Sequence, residues 1–319
     1  MQFFFKFEPL FKRVLWGGNK IALLKGISLP HSDVGESWEV SGVKGHESIV
    51  ANGPEKGLSL RQLTEKYGPD LIGEKNYAIT GNEFPILIKI IDAHDQLSIQ
   101  VHPNDNQAHL RGETSGKSEM WYILETEPDA TILSGLSRRT DKAEFESLLS
   151  HGDITSILTC HHSHVGDVFN LPARRIHSIG AGNLLVEIQQ PSDITYRVYD
   201  FDRTDANGNK RELHTSLALD TADFDDVVKH PQANVPSGNA MLLSTPQFTV
   251  WRHEVPGKES VPLPNKSFLT LTCIGGEASI SSAESDETAT LKCGESLLIA
   301  AAARQVTLTG NATLIVATK

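Results

Sequence analysis

The sequence predicts a mostly β chain, built as two related all-β units with a few short helices inserted. Three observations carry that expectation. Leu97-Ser98-Ile99-Gln100-Val101-His102-Pro103 alternates polar and apolar side chains with the period of a strand. The apolar run from Phe84 to Ile91 precedes it and holds one cation, Lys89, which places this strand inside a well-buried sheet. Finally, residues 166–190 align without a gap on residues 294–318, the mark of a repeated unit.

The elements follow in order. Residues 1–50 read as short strands and turns punctuated by Trp16-Gly17-Gly18 and by Gly35-Glu36-Ser37-Trp38-Glu39-Val40, with both tryptophans as core. A short helix is expected from Ser59 to Tyr67, with Ser59 as N-cap, Leu60 and Leu63 on one face and Gly68 at its end. Strands then run through His102, and a polar loop covers Asn104 to Gly116. Met120 to Leu124 is a strand. Thr140 caps a helix bearing Phe145, Leu148 and Leu149 that Gly152 closes, and a second short helix runs from Asp153 to Leu158. Strands return after Gly166, Asn207-Gly208 marks a hairpin turn, and Leu213 to Val228 reads as mostly helical. A linker at Pro231–Gly238 leads to short strands beyond Met241. The expected division is residues 1–235, with a short helical insert, and residues 236–319, a C-terminal domain.

In the repeat, Gly166-Asp167-Val168-Phe169-Asn170-Leu171 lies over Gly294-Glu295-Ser296-Leu297-Leu298-Ile299, and Gly182-Asn183 over Gly310-Asn311. At a different offset Lys117-Ser118-Glu119 lies over Lys266-Ser267-Phe268. On this alignment Glu119 becomes Phe268, His177 becomes Gln305 and Glu187 becomes Ile315, so a site built on those residues is lost in the second unit.

Composition narrows the class of function. The 319 residues are 39% hydrophobic and 22% charged, with no tract long enough to cross a bilayer. Lys6 and Glu8 break the opening Phe3-Phe4-Phe5 run too early for a signal peptide, and Cys160, Cys273 and Cys293 are odd in number and widely spaced, so the expected compartment is a reducing cytoplasm. A net charge of −11 without a basic stripe argues against nucleic acid, yet leaves room for an anionic small substrate that needs only local cations.

Gln100 and His102, two apart on one strand face, can reach one point in space, and Glu119 and His177 are candidates to complete a set of two nitrogens and two oxygens. Such a set suits a borderline divalent ion, Zn²⁺ first. Spacing alone leaves ordinary polar side chains as the simpler reading.

The runs Phe84-Pro85-Ile86-Leu87-Ile88-Lys89, Leu97 to Pro103, Gly116-Lys117-Ser118-Glu119-Met120-Trp121-Tyr122, Gly166-Asp167 through Pro172 to His177, and Glu187-Ile188-Gln189-Gln190-Pro191-Ser192-Asp193-Ile194-Thr195-Tyr196-Arg197-Val198-Tyr199-Asp200 resemble type I phosphomannose isomerases. They occur in family order from about Trp16 to about Leu217, and the last block is the most specific. The C-terminal unit resembles the family only as a generic cupin-like barrel. The resemblance implies a cupin (double-stranded β-helix) fold and a zinc-dependent interconversion of mannose 6-phosphate and fructose 6-phosphate, with one Zn²⁺ per chain in the first barrel. By position it places the zinc ligands on Gln100, His102, Glu119 and His177, the active-site arginine on Arg197, and the motif lysine and second glutamate on Lys117 and Glu187. The short insert between Glu119 and His177 matches the short bacterial form, so substrate contacts made by the helical domain of long members do not transfer.

Elementary chemistry assigns compatible roles. Moving a carbonyl between C1 and C2 requires a proton carrier between adjacent carbons. Glu187 is the first candidate, with a water at the metal or a histidine as alternatives. Arg197, on one strand face with Thr195 and Tyr199, suits a phosphate or an enediolate oxygen, and Lys117 adds a second cation beside Glu119. Ser98 shares the face of Gln100 and His102 and is a candidate donor to phosphate, with solvent as the alternative partner.

Other motifs are set aside. The Gly-Lys-Ser at 116–118 has the wrong spacing for a P-loop and leads into a strand. His161, His162 and His164 read as a solvated loop rather than ligands, and Lys210 and Ser216 spoil a calcium loop starting at Asp205. Two rival functions remain at this stage: another metal cupin such as an iron or manganese oxygenase or an epimerase, and a non-catalytic sugar-binding or regulatory cupin. Lys117, Glu187 and Arg197 beside the ligands favour catalysis. The partner expected is a small sugar phosphate, with neither nucleic acid nor membrane, and with no preference between a monomer and a homodimer.

Overall fold

Strands Leu10–Gly18, Val34–Val40, Leu87–Ala93, Asn183–Gln189, Glu119–Thr126, Val168–Leu171 and Gln232–Ala233 lie side by side, in that spatial order, as one antiparallel sheet. The computed structural model describes every residue except 206, 231, 234–237 and 263–265, and the side chains of 232 and 233 are also outside the description. The linker expected at 231–238 and the domain boundary at 235/236 therefore fall largely outside the described residues.

Strands Leu87–Ala93 and Asn183–Gln189 are buried along their whole length, because both faces of this sheet are covered. Ile88, Ile90, Met120, Tyr122, Val186 and Ile188 point outward into a core shared with Leu60, Leu63, Phe268, Leu298 and Ile315. The opposite, inner face carries Ile91, Trp121, Ile123, Phe169, Leu171 and Leu185, which pack on Trp16, Leu97, Ile132 and Ile179. The last three belong to or adjoin a second, five-stranded sheet of Leu158–His162, Thr131–Leu136, His177–Ile179, Ile99–Val101 and Tyr196–Tyr199. Its own outer face buries Ile99, Val101, Ile176 and Val198 against Phe145 and Ala218 of two short helices. Thus the two sheets face one another, and alternation along each strand sends every second side chain into the space between them.

A third sheet holds Ala240–Ser244, Thr249–Pro262, Gln305–Thr318, Leu269–Ser282 and Ser296–Ile299, with Ser285–Lys292 paired on Leu269–Ser282. Its edge partner is Phe4–Phe5, so the start of the chain hydrogen-bonds to Leu298 and Ile299. The chain is mostly β, as expected. The strands of this third sheet are longer than expected, however: Thr249–Pro262, Leu269–Ser282 and Gln305–Thr318 each run 14 residues.

The helices show where local pattern sufficed. Leu60–Tyr67 carries the expected cap: Ser59 Oγ accepts from Gln62 N at 3.2 Å, and the Gln62 side chain accepts from Ser59 N at 2.9 Å. Elsewhere the expectations need correction. Helices Pro69–Ile72 and Glu74–Thr80 occupy a stretch read as strands. The polar segment after Asn104 forms a helix, Asp105–Leu110, because Asn104 and Gln107 make a reciprocal cap. Asp141, not Thr140, caps Lys142–Ser150, and the element after Asp153 is a single 3₁₀ turn over Ile154–Ile157. Only Thr215–Thr221 is helical within 213–228. At Asn104 and Asp141 a polar side chain caps the first turn, which hydrophobic periodicity does not report.

The internal repeat holds in strand order but slips in register. Phe169 and Leu171 point inward, as do their aligned partners Leu297 and Ile299. Further on, Leu314 and Val316 point into the C-terminal core while Ile315 faces the other way. Likewise Leu269 points inward, and Phe268 packs on Phe84 at 4.7 Å between ring centres in the outer core. A one-residue slip exchanges the faces of a strand. The positions facing as Glu119, His177 and Glu187 do are therefore Leu269, Val306 and Leu314 or Val316, rather than Phe268, Gln305 and Ile315. In the structural register every one of these positions is apolar.

Candidate metal centre and active-site cavity

Three strands bring the four expected ligands together. His177 lies directly across from Gln100 in the five-stranded sheet, and His102 follows the Ile99–Val101 strand by one residue. Glu119 opens its strand on the facing sheet. His177 Nε2 is 3.2 Å from His102 Nε2 and 3.4 Å from the Gln100 amide, while Glu119 Oε1 is 3.3 Å from His102 Nε2 and Glu119 Oε2 is 3.5 Å from His177 Nε2. Ligands about 2.0–2.1 Å from a tetrahedral ion stand about 3.3–3.4 Å from one another. The spacing suits one shared cation.

The protonation states agree with that use. His177 Nδ1 lies 2.9 Å from the Arg175 carbonyl, which selects the tautomer with a proton on Nδ1 and a lone pair on Nε2. Burial pushes His102 down to about 3, with Lys117 adding to the shift, and burial lowers His177 as well. Both rings are neutral donors at physiological pH. Burial opposes ionisation of Glu119, but Lys117, His102 and His177 outweigh it and hold the carboxyl well below its usual range. Both Glu119 oxygens are buried without a hydrogen-bond partner among the described residues. Lys117 Nζ sits 2.9 Å from Oε1 as an ion pair, off the line of a hydrogen bond. Unpartnered buried carboxylate oxygens beside two imidazole lone pairs fit a cation. His102, Glu119 and His177 thus form a candidate metal centre, with the Gln100 amide at its edge.

A cavity of about 180 Å³ opens beside Gln100 and contains all the remaining candidates. Ser98, only 4% exposed, lines it, and so do Lys117, Glu187 and Arg197, which removes the solvent-facing reading of Ser98. Glu187 lies across from Trp121 on one side and Lys89 on the other. The Trp121 indole N–H donates to its Oε2 at 2.7 Å, and Lys89 Nζ pairs with its Oε1 at 3.1 Å. Burial raises the Glu187 pKa, the Glu119 charge raises it further, and Lys89 and Lys117 only partly compensate. Arg197 lies across from Gln100, donates to the Glu212 carbonyl at 2.7 Å through one terminal nitrogen, and keeps a buried Nε without a partner among the described residues. Burial, then Arg211, lowers its pKa from a very high starting value, so it remains a cation.

Sequence reasoning missed several charged residues of this cavity: Glu36, Lys89, Asp193 and Arg211. Glu36 accepts from the Trp38 indole at 2.6 Å and lies 3.7 Å from Lys89. Burial works against its charge, but Lys89 and the indole N–H outweigh that and lower its pKa. Lys89 had a visible signal, a lone cation inside an eight-residue apolar run, because a fully buried lysine is retained only with partners. Trp16 is core as expected, and it is also a wall of the cavity.

Paired neutral imidazoles, a buried carboxylate and an adjoining charged cavity define a mostly β protein with a candidate metal centre beside a small-molecule pocket. Comparison with known proteins resolves the class. The family model for the catalytic domain of type I phosphomannose isomerase matches residues 4–132, and that for the cupin domain of mannose-6-phosphate isomerase matches residues 239–319. The chain is 34% identical over 313 residues to a putative mannose-6-phosphate isomerase, YvyI, of Bacillus subtilis, covering 97% of this chain and 96% of that protein. It is 36% identical over 284 residues to the mannose-6-phosphate isomerase ManA of the same organism, covering 87% of each. The crystal structure of the mannose 6-phosphate isomerase from Bacillus subtilis superposes with a TM-score of 0.88 at 32% identity, covering both chains fully. A putative mannosephosphate isomerase from Archaeoglobus fulgidus shares the fold, with a TM-score of 0.81 at 23% identity over 100% of this chain and 98% of that one. The chain belongs to the type I phosphomannose isomerase family.

Proposed function

We propose that the protein interconverts mannose 6-phosphate and fructose 6-phosphate in the cavity beside Gln100, with Gln100, His102, Glu119 and His177 holding one Zn²⁺ per chain. The observation that carries this reading is the convergence of His102, Glu119 and His177, their ligating atoms 3.2–3.5 Å apart with the Gln100 amide 3.4 Å from His177, against a cavity that holds both a buried carboxylate and several cations. A divalent ion held there supplies Lewis acidity for a carbonyl or enediolate oxygen.

The chain's own residues do the rest. Glu187 takes the proton from C2 of the aldose and returns it to C1, while the hydroxyl proton passes from O2 to O1, which moves the carbonyl from C1 to C2 without net change in composition. Its raised pKa brings it closer to neutrality, where a carboxylate that must both accept and return a proton works best. Trp121 and Lys89 fix the plane of the carboxylate. Lys117, beside His102 and Glu119, and Arg197, across from Gln100, can steady the oxygens at C1 and C2. Lys89, Lys117, Arg197 and Arg211 set against Glu36, Glu119, Glu187 and Asp193 leave the surroundings near balance, so a dication tips the site positive and suits a phosphate monoester. Ser98 is placed to donate to that phosphate. The catalytic cupin-like barrel comprises residues 1–235 and a second cupin-like barrel residues 236–319, in a cytoplasmic enzyme. Among the described residues no helix is long and apolar enough to cross a membrane.

A coupled assay with fructose 6-phosphate, run with and without a chelator, tests the proposal. Chelator-sensitive turnover that Zn²⁺ restores is expected. Turnover indifferent to the chelator would remove the metal from the reaction, and no turnover in the zinc-loaded protein would remove the isomerase reading.

A further inference from the structure

A second group of ligating side chains lies away from the cavity. His161 is the penultimate residue of the outermost strand of the five-stranded sheet, and Asp167 immediately precedes the Val168–Leu171 strand of the facing sheet. Between them a tight turn from His164 to Asp167 is closed by the Asp167 N–H donating to the His164 carbonyl at 3.0 Å, with Gly166 at φ 90°, a conformation glycine adopts without strain. The sequence reading of this stretch as a solvated loop is corrected here: His161 and His162 are on a strand, and Asp167 is buried.

His161 Nε2 lies 3.6 Å from Asp167 Oδ2, and His164 Nδ1 lies 3.5 Å from the same oxygen. These separations are long for hydrogen bonds and close to the edge of a tetrahedral ligand shell. They match the 3.2–3.5 Å spacing at the buried centre. All three donor atoms fall within 4.8 Å of one another. His161 Nε2 is itself shielded from solvent and has no hydrogen-bond partner among the described residues. The His161 ring is held edge-on against Phe169 at 5.7 Å, so its orientation is fixed by packing. The carboxylate is fixed too, because Asp167 Oδ2 accepts from the His164 backbone N–H at 2.8 Å. A fixed, unsatisfied imidazole nitrogen aimed at a fixed carboxylate, with an exposed imidazole beside it, brings together three ligands of the kind a borderline cation takes.

We propose that His161, His164 and Asp167 bind a second borderline divalent cation, of the Zn²⁺, Co²⁺ or Ni²⁺ type, outside the catalytic cavity. Two nitrogens and one oxygen favour these ions over Mg²⁺ or Ca²⁺. His164 is 71% exposed, so water completes the shell and affinity falls below that of the buried centre. Occupancy ties the edge strand of one sheet to the entry of a strand in the other, and so staples the open side of the sandwich without touching the cavity.

The test is Zn²⁺ equilibrium dialysis of the full chain, with bound metal measured by atomic emission, alongside melting temperature. Wild type is expected to hold a tight equivalent and a second, weaker one, and to gain several degrees in Tm as the second fills. His164→Ala, at an exposed position that leaves the fold intact, should keep the tight equivalent and lose both the weaker one and its Tm gain. His162→Ala, which removes the neighbouring exposed imidazole, should keep both. Equal binding by wild type and His164→Ala, or loss of the weaker equivalent in His162→Ala, would overturn the proposal. Failure of the buried centre would instead show as a missing tight equivalent in every variant.

Discussion

The strand order Val168–Leu171, Glu119–Thr126, Asn183–Gln189, Leu87–Ala93 in the site-bearing sheet recurs in the C-terminal sheet as Ser296–Ile299, Leu269–Ser282, Gln305–Thr318, Thr249–Pro262. What points inward differs. In the first, Glu119, Glu187 and Lys89 share the inner face with Trp121, Ile123 and Leu185. In the second, Leu269, Leu271, Val306, Leu308, Leu314 and Val316 fill it. The C-terminal cavity, about 380 Å³ among the described residues, is walled by Trp251, Leu269, Leu271 and Val306, where the smaller site cavity is walled by charges. One scaffold thus tolerates two interiors. An apolar interior stabilises by burial alone, at about 25 cal/mol per Å². A charged one survives only where every ion has an opposite neighbour, as Lys89 has in Glu187 and Glu36, since an unpaired buried charge costs about 3–5 kcal/mol.

The comparison can be broken most forcefully at the metal. His177→Ala should release the buried ion and lower kcat/KM at least about 10³-fold, because it removes stabilisation of developing charge; elemental analysis showing full occupancy in that variant would sink the ligand assignment. Glu187→Gln should keep the metal and lower kcat about 10²–10⁴-fold. The same residue predicts a pH effect. Since burial and Glu119 raise the Glu187 pKa, its basic form is lost on acidification at a higher pH than for an ordinary glutamate. The acid limb of the wild-type pH–rate profile should therefore lie above the usual carboxylate range, and the residual activity of Glu187→Gln should lack it. Arg197→Ala should retain metal and lose about 10²-fold in kcat, and unchanged steady-state kinetics would take Arg197 out of the mechanism.

In the C-terminal sheet the same surgery should touch stability alone. Leu314→Ala, which removes a fully buried side chain from an apolar core, should cost about 2–5 kcal/mol by denaturant unfolding while the folded fraction keeps its metal and its kcat. The smallest effect is expected at Ser59→Ala, about 1 kcal/mol from the lost cap, with activity unchanged. Loss of metal in Leu314→Ala would show that the two sheets are functionally coupled and that the contrast drawn between them is too sharp.

Much of the site was legible along the chain because its parts are local patterns. Ser98, Gln100 and His102 announce themselves by alternation, and Lys117, Glu119, His177, Glu187 and Arg197 stand within motifs that resemble one family. Glu36, Asp193 and Arg211 were not legible as site residues, and Lys89 only as a buried cation in need of partners, since nothing along the chain tells which charges meet in space. The repeat shows the same limit. Its strand order was readable, yet a one-residue slip between copies exchanged inner and outer faces, and only the packed sheets reveal it.

By itself, then, the sequence determined a mostly β chain, the Ser59 cap, the strand carrying Gln100 and His102, and the family to which these residues point. The tertiary structure decided which side of each strand is inside, which charges pair in the cavity, and that His161 and His164 meet Asp167. The division has a physical cause. Period and capping are set by neighbours within a few residues, whereas the sign of a strand's face and the partner of a buried charge are set by sheets that approach from distant parts of the chain.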